Sequence, residues 1–294
     1  MNDVDFYLED LLSKFLKINP DEYYLSYSGG ADSHLLFWFL RTYLREKHPN
    51  EYNLFLRIKI VGINTRNEYP EILKRIHENC DVVLKPKLFL HEVIEKYGMP
   101  CFSKDQDQYI NRYQKGSRCK TINQAIFGKK FIGKDNKIHK SSFQINNKAR
   151  DLLLNNKLHK VSDLCCFYLK KLPAKEYEKK TKTKPILGIM GDESLRRKRV
   201  YNSCFRKNGT FTPIYDLTED LKMKIYEQYK IELPKIYDYV NQTGCIGCPY
   251  GMCKGNTKKE LELVSKARYE YCWKCFGKSY LVRGLKKQRQ IKLF

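Results

Sequence analysis

Apolar and polar residues alternate along the first third of the chain in a way that predicts helices and strands in turn. A helical period of apolar residues and an unbroken apolar run each predict a helix, whereas short runs rich in β-branched and aromatic residues predict strands. The predicted elements are, in order, a helix at 3–17, a strand at 23–27, a helix at 32–44, a strand at 54–63, a helix at 69–78 and a strand at 82–84. Strands that alternate with helices favour a parallel sheet with right-handed crossovers.

The pattern of apolar and polar residues is less regular in the rest of the chain and indicates a second region. Residues 103–150 are polar and predict short helices and loops, and a strand followed by a helix start returns at 185–200. Thr218, followed directly by two acidic residues, is typical of a helix N-cap, so we predict a helix over 218–230. We therefore expect an α/β domain over residues 1–240, with a basic insertion at about 103–160, and a Cys-rich, basic region over 241–294.

Composition narrows the class of protein. With 294 residues, 42% hydrophobic and 13% aromatic, the chain has globular composition. No apolar stretch approaches the roughly 18 residues of a membrane span, and the acidic N-terminal segment is unlike a signal peptide. We expect a cytoplasmic protein with no membrane partner, in which eleven cysteines favour metal binding or redox chemistry over disulfides.

The net charge of +23 indicates an anionic partner such as a nucleotide or nucleic acid. The basic residues are concentrated at 129–160, 170–184, 196–207 and in the C-terminal tail. A Lys-rich proteome would produce a similar excess, so the charge by itself leaves a solvated basic surface as the alternative.

The segment SYSGGADS, residues 26–33, lies between a predicted strand and a predicted helix. Such a loop presents unpaired amides with the positive end of the helix dipole behind them, and glycines let an anion approach the backbone. Ser26, Ser28 and Ser33 add hydroxyl donors. The segment is neither a Walker A loop nor a dinucleotide-binding pattern, and a plain turn is the alternative.

SGGADS resembles the PP-loop, S-G-G-x-D-S, of the adenine nucleotide α-hydrolase-like enzymes. Four further segments resemble those of the phosphoadenosine phosphosulfate (PAPS) reductases and occur in the same order: INTRNEYPEI at 63–72, SDLCCFYLKKLPAKEYE at 162–178, KPILGIMGDESLRRKR at 184–199, and residues 211–240. The resemblance runs from about residue 20 to 253. Met190 stands where many members of that family have Arg.

This resemblance implies a Rossmann-like parallel sheet with helices on both faces and a bound adenine nucleotide. The implied nucleotide-binding residues are Ser26, Ser28, Gly29, Gly30, Asp32, Ser33, Asn64, Thr65, Glu193 and Ser194. The candidate catalytic residues are Asp32, Lys104, Arg118 and Arg197, of which Lys104 and Arg118 are assigned by position alone.

The cysteines form two possible metal-binding sets. Cys165-Cys166 with Cys245 and Cys248 resembles the arrangement that holds a [4Fe–4S] cluster in the adenylylsulfate (APS) reductases, and separate irons suit adjacent thiolates, whose Cβ vectors diverge. The alternative set joins Cys245 and Cys248 to Cys272 and Cys275 with a spacing close to that of a Zn²⁺ ribbon. Cys253 can replace a member of either set.

The remaining cysteines (Cys80, Cys101, Cys119 and Cys204) are predicted core residues.

Two chemistries fit these features. In sulfonucleotide reduction, a thiolate attacks the sulfur of PAPS or APS, and a thioredoxin-type partner then releases sulfite. The C-terminal E-C-G-x-H segment of the family's reductases is absent here. Cys272 and Cys275 are the nearest candidate nucleophiles, in a basic setting predicted to lower their pKa.

In the second chemistry, the loop binds ATP with Mg²⁺ and adenylates tRNA or DNA. Pyrophosphate leaves, and the activated site accepts sulfur from a sulfur donor. A zinc-containing nucleic-acid-binding protein with an inactive loop is a third hypothesis. We expect a PAPS reductase-like enzyme with sulfur chemistry.

Overall fold

The computed structural model describes residues 2–128, 130–132, 136–140, 143–193, 203–241 and 243–287. For 130–132, 138–140, Glu193 and Lys254 it describes the backbone alone. Within these residues no helix combines the length and the apolar character needed to cross a membrane.

Helices and strands account for most of the described chain. The strands are β1 (Tyr23–Tyr27), β2 (Lys59–Ile63), β3 (Val82–Leu84), β4 (Lys130–Ile132), β5 (Ile138–Lys140) and β6 (Lys184–Leu187). The α-helices are α1 (Asp3–Phe15), α2 (Ala31–Trp38), α3 (Leu44–Lys47), α4 (Pro49–Phe55), α5 (Pro70–Asn79), α6 (Leu90–Tyr97), α7 (Lys104–Gln114), α8 (Lys120–Phe127), α9 (Asn147–Leu154), α10 (Leu164–Cys166), α11 (Leu172–Thr181), α12 (Glu219–Gln228), α13 (Asn256–Leu263) and α14 (Lys266–Val282).

Four strands form the main sheet, in the order β3-β2-β1-β6. Every neighbouring pair is parallel, with Leu25 of β1 opposite Ile60 of β2 and Ile186 of β6. This parallel sheet flanked by helices confirms the predicted α/β class. A separate antiparallel pair, β4 and β5, lies in the polar middle region.

The prediction of a single strand over 54–63 was wrong for residues 54–58, because the strand begins at Lys59. Residues Pro49–Phe55 form α4, which begins at a proline, a residue suited to the first helical turn. Phe55 and Ile58 are fully buried, and apolar residues continue through a helix, a turn and a strand with only Arg57 and Lys59 between them. A short apolar run of this kind has no distinguishing period.

Two other elements differ from their predicted bounds. The predicted helix at 32–44 contains a π-helical turn, Phe39–Tyr43, between α2 and α3. The strand predicted at the start of 185–200 ends at Leu187. Gly191–Glu193 forms a 3-10 turn, and the remainder of the predicted helix after it lies outside the described residues.

The chain divides into two compact units, each built from two segments. Unit 1 contains residues 1–86 and 172–238, and unit 2 contains residues 87–171 and 239–294. The predicted boundary at 240 lies two residues beyond unit 1, but residues 87–171 group with the Cys-rich region and not with the sheet.

Unit 1 has an aromatic core beside its sheet. Phe15 of α1 has no exposed surface, and its ring centre lies 5.5 Å from that of Phe39, 5.7 Å from Phe55 and 5.3 Å from Phe211. Residues from four separate parts of the unit therefore meet at one phenyl ring. Such packing is the main stabilising contribution available to α1.

Unit 2 has its own core, formed largely by α7, α8 and α9. Ile110, Ile122 and Leu153 are buried in it. The carboxylate of Asp107, also fully buried, accepts hydrogen bonds from the amides of Cys101 at 2.6 Å and Phe102 at 3.0 Å. Burial raises the pKa of Asp107 to about 6.

Replacement of Phe15 by Ala is expected to lower the free energy of unfolding by about 3–5 kcal/mol, because a cavity forms where three rings converge. Urea denaturation followed by circular dichroism measures this loss. Phe6→Ala on the same helix is the matched control, since Phe6 is 65% exposed and a surface change costs within about 0.5 kcal/mol. Equal losses in the two variants would contradict the packing described here.

Candidate functional site

The loop after β1 leads directly into the N-terminus of α2. Gly30 is the N-cap residue of α2. Gly29 has φ +74°, and a Cβ there would lie 2.9 Å from Cγ2 of Ile72 on α5. Both the left-handed backbone and the close approach of α5 require glycine at position 29.

Two serine side chains close this loop on itself. Ser33 Oγ accepts a hydrogen bond from the Ser28 amide at 3.2 Å and donates one to the Gly30 carbonyl at 3.0 Å. Ser28 Oγ lies 3.0 Å from Ser33 Oγ and accepts from the Gly30 amide at 3.4 Å. Ser33 is buried, whereas Ser28 is exposed. Ser33 therefore fixes the shape of the loop, and Ser28 is the hydroxyl that faces solvent.

The backbone of Ala31 is held by two tyrosines from the end of unit 1. Its amide donates to the Tyr237 hydroxyl at 2.8 Å, and the Tyr226 hydroxyl donates to its carbonyl at 2.7 Å. The neighbouring amides of Gly29, Asp32 and Ser33 have no acceptor among the described residues. The loop therefore offers three amide donors at the positive end of the α2 dipole.

Asp32 is paired with a buried lysine. Lys222 Nζ lies 2.9 Å from Asp32 Oδ1 and 2.8 Å from Glu219 Oε2, and Lys222 is only 6% exposed. Burial acts to lower the pKa of Lys222, but the two carboxylates outweigh it and raise the pKa above its usual value. Lys222 is therefore charged at the base of the loop, where the charges of Asp32 and Glu219 offset its own.

A second glycine, Gly188, lies against the first turn of α2. A Cβ at Gly188 would be 2.8 Å from the carbonyl carbon and oxygen of Asp32 and 2.8 Å from the Ser33 nitrogen. Gly188 follows β6, which pairs with β1 on the side opposite β2. The strand order therefore reverses between β1 and β6, and in open α/β sheets ligands bind outside the carboxyl ends of the strands at such a reversal.

Two further predicted residues follow β2, the strand beside β1. Asn64 Oδ1 accepts from the Arg66 amide at 2.9 Å. Thr65 is buried and donates its hydroxyl to Glu68 at 2.6 Å. Both residues lie at the carboxyl edge that carries the loop, and the Thr65 hydroxyl is engaged within its own turn.

The other predicted residues of unit 1 are located as follows. Ser26 is on β1, opposite Val61 and Leu187. Glu193 ends the 3-10 turn after β6. Ser194 and Arg197 lie outside the described residues.

The four cysteines of the first predicted set all lie in unit 2. Cys165 and Cys166 lie on α10, and the amide of Cys248 donates to the carbonyl of Cys245 at 3.1 Å. A hydrogen bond to Cys166, burial, and the charges of Cys166, Cys248 and Cys245 raise the pKa of Cys165 well above its usual value. The thiol of Cys165 thus interacts with each of the other three.

Cys166 has the opposite electrostatic setting. A hydrogen bond from Cys165 and the positive charges of Lys104, Lys170 and Lys171 lower its pKa, against the effect of burial. Lys104, the first residue of α7, was predicted to be catalytic. In the structure its positive charge is one of those that lower the pKa of Cys166.

Arg118, the other basic candidate, contacts its own loop. Its guanidinium lies 3.6 Å from the ring centre of Tyr113 and donates to the carbonyls of Tyr113 and Ser117.

The second cysteine pair, Cys272 and Cys275, does not have the lowered pKa that was predicted for it. Cys272 and Cys275 lie on α14 and are both buried, and burial raises the pKa of each, that of Cys272 to about 12. The expectation of a lowered pKa was wrong because desolvation exceeds the effect of the nearby cations. In the described part of the chain, no group of three or more Cys, His, Asp or Glu side chains could hold a metal ion.

Cys119 was expected in the core but is exposed. It is the N-cap residue of α8, and a hydrogen bond from the Ile122 amide lowers its pKa. Cys101 is buried as expected, and Cys80 and Cys204 are half-buried.

Comparisons with known proteins give low similarity. No family model matches the chain, and no curated protein matches it. Among solved structures, a PAPS reductase from Candida auris in a phosphate complex has a TM-score of 0.39 and 11% identity, over 79% of this chain and 89% of that one. An NH3-dependent NAD synthetase from Campylobacter jejuni subsp. jejuni, in complex with the nitrate ion, has a TM-score of 0.34 and 10% identity, over 98% and 97%. Similarity at this level does not establish what this chain binds.

Replacement of Gly188 by Ala is expected to displace the first turn of α2, because the new methyl group overlaps the Asp32–Ser33 peptide. We expect a loss of about 1–3 kcal/mol of stability together with weaker binding of phosphate or adenine nucleotides, measured by urea denaturation and titration calorimetry.

Gly244→Ala is the matched control, since nothing lies within 4 Å of its added Cβ. If Gly188→Ala bound anions as well as Gly244→Ala, the contact would have no part in anion binding.

Proposed function

We propose that this chain is an enzyme that binds an adenine nucleotide at the loop of residues 28–33 and uses it in sulfur chemistry. The observation that carries the proposal is the group of three amides at the N-terminus of α2, at the reversal of strand order. An anionic phosphate or sulfate matches these donors. Lys222 binds Asp32 at the base of the loop and so helps to fix the turn that carries these amides.

For the reaction we favour sulfonucleotide reduction or sulfur transfer. In the reductive route, a thiolate bonds to the sulfur of PAPS or APS, the sulfur–oxygen bond to the nucleotide phosphate breaks, and the phosphate leaves with the electron pair. A dithiol of a thioredoxin-type partner then releases sulfite and becomes a disulfide. The amides of Gly29, Asp32 and Ser33 would stabilise the negative charge on the departing phosphate.

A second candidate is the adenylation of a nucleic acid for thiolation. Here a nucleic-acid oxygen attacks the α-phosphate of ATP and Mg²⁺-bound pyrophosphate leaves. The division of charge between the units favours this candidate, because unit 2 has 30 Lys and Arg against 10 Asp and Glu, whereas unit 1 has 26 against 23.

We also propose that Cys165, Cys166, Cys245 and Cys248 hold a [4Fe–4S] cluster in unit 2. The proposal rests on the chemistry of the donor set and not on a preformed metal-holding group in the described residues: Cys165 interacts electrostatically with the other three thiols, and a hydrogen bond from Cys165 together with three lysines favours Cys166 as a thiolate. Thiolates are the ligands of such clusters. The zinc alternative uses Cys272, whose thiol also interacts with Cys245.

Ser28→Ala is expected to weaken nucleotide binding by about 10- to 100-fold, the range for loss of a hydrogen bond to a charged group.

The protein is purified without oxygen and incubated separately with PAPS, APS and ATP. Sulfite release identifies reduction, and pyrophosphate release stimulated by DNA or tRNA identifies adenylation.

Ser13→Ala, an exposed serine on α1, is the control and is expected to behave as the parent protein. No product from any of the three nucleotides, and no binding heat, would overturn the proposed function.

Metal analysis of variants distinguishes the two cysteine sets. We expect about four iron atoms and four sulfides per chain in the anaerobic protein. Cys248→Ser removes a residue common to both sets, so it should lose either metal.

Cys166→Ser should lose iron and Cys272→Ser should retain it, and Cys119→Ser serves as the control. Zinc that is lost in Cys272→Ser but kept in Cys166→Ser would identify the alternative set and refute the cluster.

A further inference from the structure

The excess positive charge of the chain lies almost entirely in unit 2. From the residues counted above, unit 2 has a net charge of +20 and unit 1 a net charge of +3. The two units belong to one chain and share any bias of composition. A Lys-rich proteome therefore does not account for the difference between them, and unit 2 is the part that attracts polyanions.

A stacked pair of tyrosines lies on the surface of this basic unit. Tyr97 ends α6, and Tyr168 lies in the π-helical turn Phe167–Lys171. Their ring centres are 4.4 Å apart and their planes differ by 12°. Both residues are half-exposed. Tyrosine rings in this position offer flat faces on which nucleic-acid bases stack.

Lysines lie at the Tyr97 side of the tyrosine pair. Lys96 Nζ lies 5.4 Å from the centre of the Tyr97 ring, and Lys160 Nζ donates to the Lys96 carbonyl at 2.6 Å. A hydrogen bond with Tyr168, together with the charges of Lys96 and Lys115, lowers the pKa of Tyr97. Lys96 therefore lies over the Tyr97 ring, Lys160 binds the backbone of Lys96, and Lys115 contributes a positive charge at Tyr97.

We propose that Tyr97 and Tyr168, with Lys96, Lys115 and Lys160, form a binding surface for single-stranded nucleic acid. A base stacks on the tyrosine pair, and the exposed Lys96 side chain turns from the ring to the adjoining phosphate. Stacking requires an unpaired base, which is why the surface fits a single strand better than a duplex. The inference adds a binding surface to the adenylation candidate and does not depend on it, since binding needs no nucleotide.

The test is fluorescence anisotropy with labelled oligothymidylate and oligouridylate of about 20 nucleotides, a length that spans a typical binding site. The full-length protein is used without added nucleotide. Tyr97→Leu is expected to raise the dissociation constant about 5- to 150-fold, the effect of losing one stacked base. Tyr97→Phe keeps the ring and should bind like the parent protein.

Tyr239→Leu is the matched control, because Tyr239 belongs to the same unit and is 52% exposed. It should leave the affinity unchanged. If Tyr97→Leu bound no more weakly than Tyr239→Leu, or if Tyr97→Phe lost as much affinity as Tyr97→Leu, the stacking surface would be refuted.

Salt dependence tests the lysines separately. Lys96→Gln should reduce the slope of log affinity against log salt by about 0.7, the value for one phosphate contact on a single strand. Tyr97→Leu should leave this slope unchanged.

A duplex that binds as tightly as the single strand, or binding to anionic phosphatidylserine vesicles with none to oligonucleotides, would overturn the proposal. These results leave the nucleotide-binding assays with Ser28→Ala unaffected, so failure here is distinguishable from failure of the proposed enzyme.

Discussion

The close approach of Gly188 to the Asp32–Ser33 peptide is the constraint on which the candidate nucleotide site depends. It joins the end of β6 to the first turn of α2 at the point where the strand order reverses. A side chain at position 188 would force these two backbones apart. Because the three amides that have no acceptor among the described residues lie in this turn and in the loop before it, their direction depends on the contact.

Three side chains from the last part of unit 1 hold the same turn from another direction. Tyr226 and Tyr237 bind the carbonyl and amide of Ala31, and Lys222 binds the carboxylate of Asp32. Each is about 190 or more positions away in sequence. The buried lysine is the costliest of these contacts to disrupt, since loss of the Asp32 carboxylate would leave Glu219 as its remaining partner in the described structure. The loop is therefore part of the folded core of unit 1 and not only a surface turn.

Unit 2 has the features of a separate chemical module. It holds the predicted cluster ligands, the thiol whose pKa is lowered by three lysines, and nearly all of the excess positive charge. The same lysine-rich environment that favours a thiolate at Cys166 also favours polyanions. The proposed polyanion and a thiolate at Cys166 would both be stabilised by this positive charge.

The sequence alone determined the elements with strong local signals. The glycine loop between β1 and α2, the capped helix after Thr218 and the strand at 82–84 were predicted correctly, because cap residues, glycines and periodicity act over a few neighbouring positions. The segment 54–63 was misassigned, since only the single basic residues Arg57 and Lys59 interrupt its apolar residues and neither marks the end of a helix.

Tertiary structure alone decided the features that depend on distant contacts. The grouping of 87–171 with 239–294, the partners of Ala31 and Asp32, and the approach of Gly188 all join segments far apart in sequence. The pKa of Cys272 follows from burial on α14, and the exposure of Cys119 from its position at a helix end. Local sequence carries no information on which distant side chain will desolvate or pair with a group. The sequence therefore predicted the glycine loop, but it could not predict the distant residues that fix the conformation of that loop.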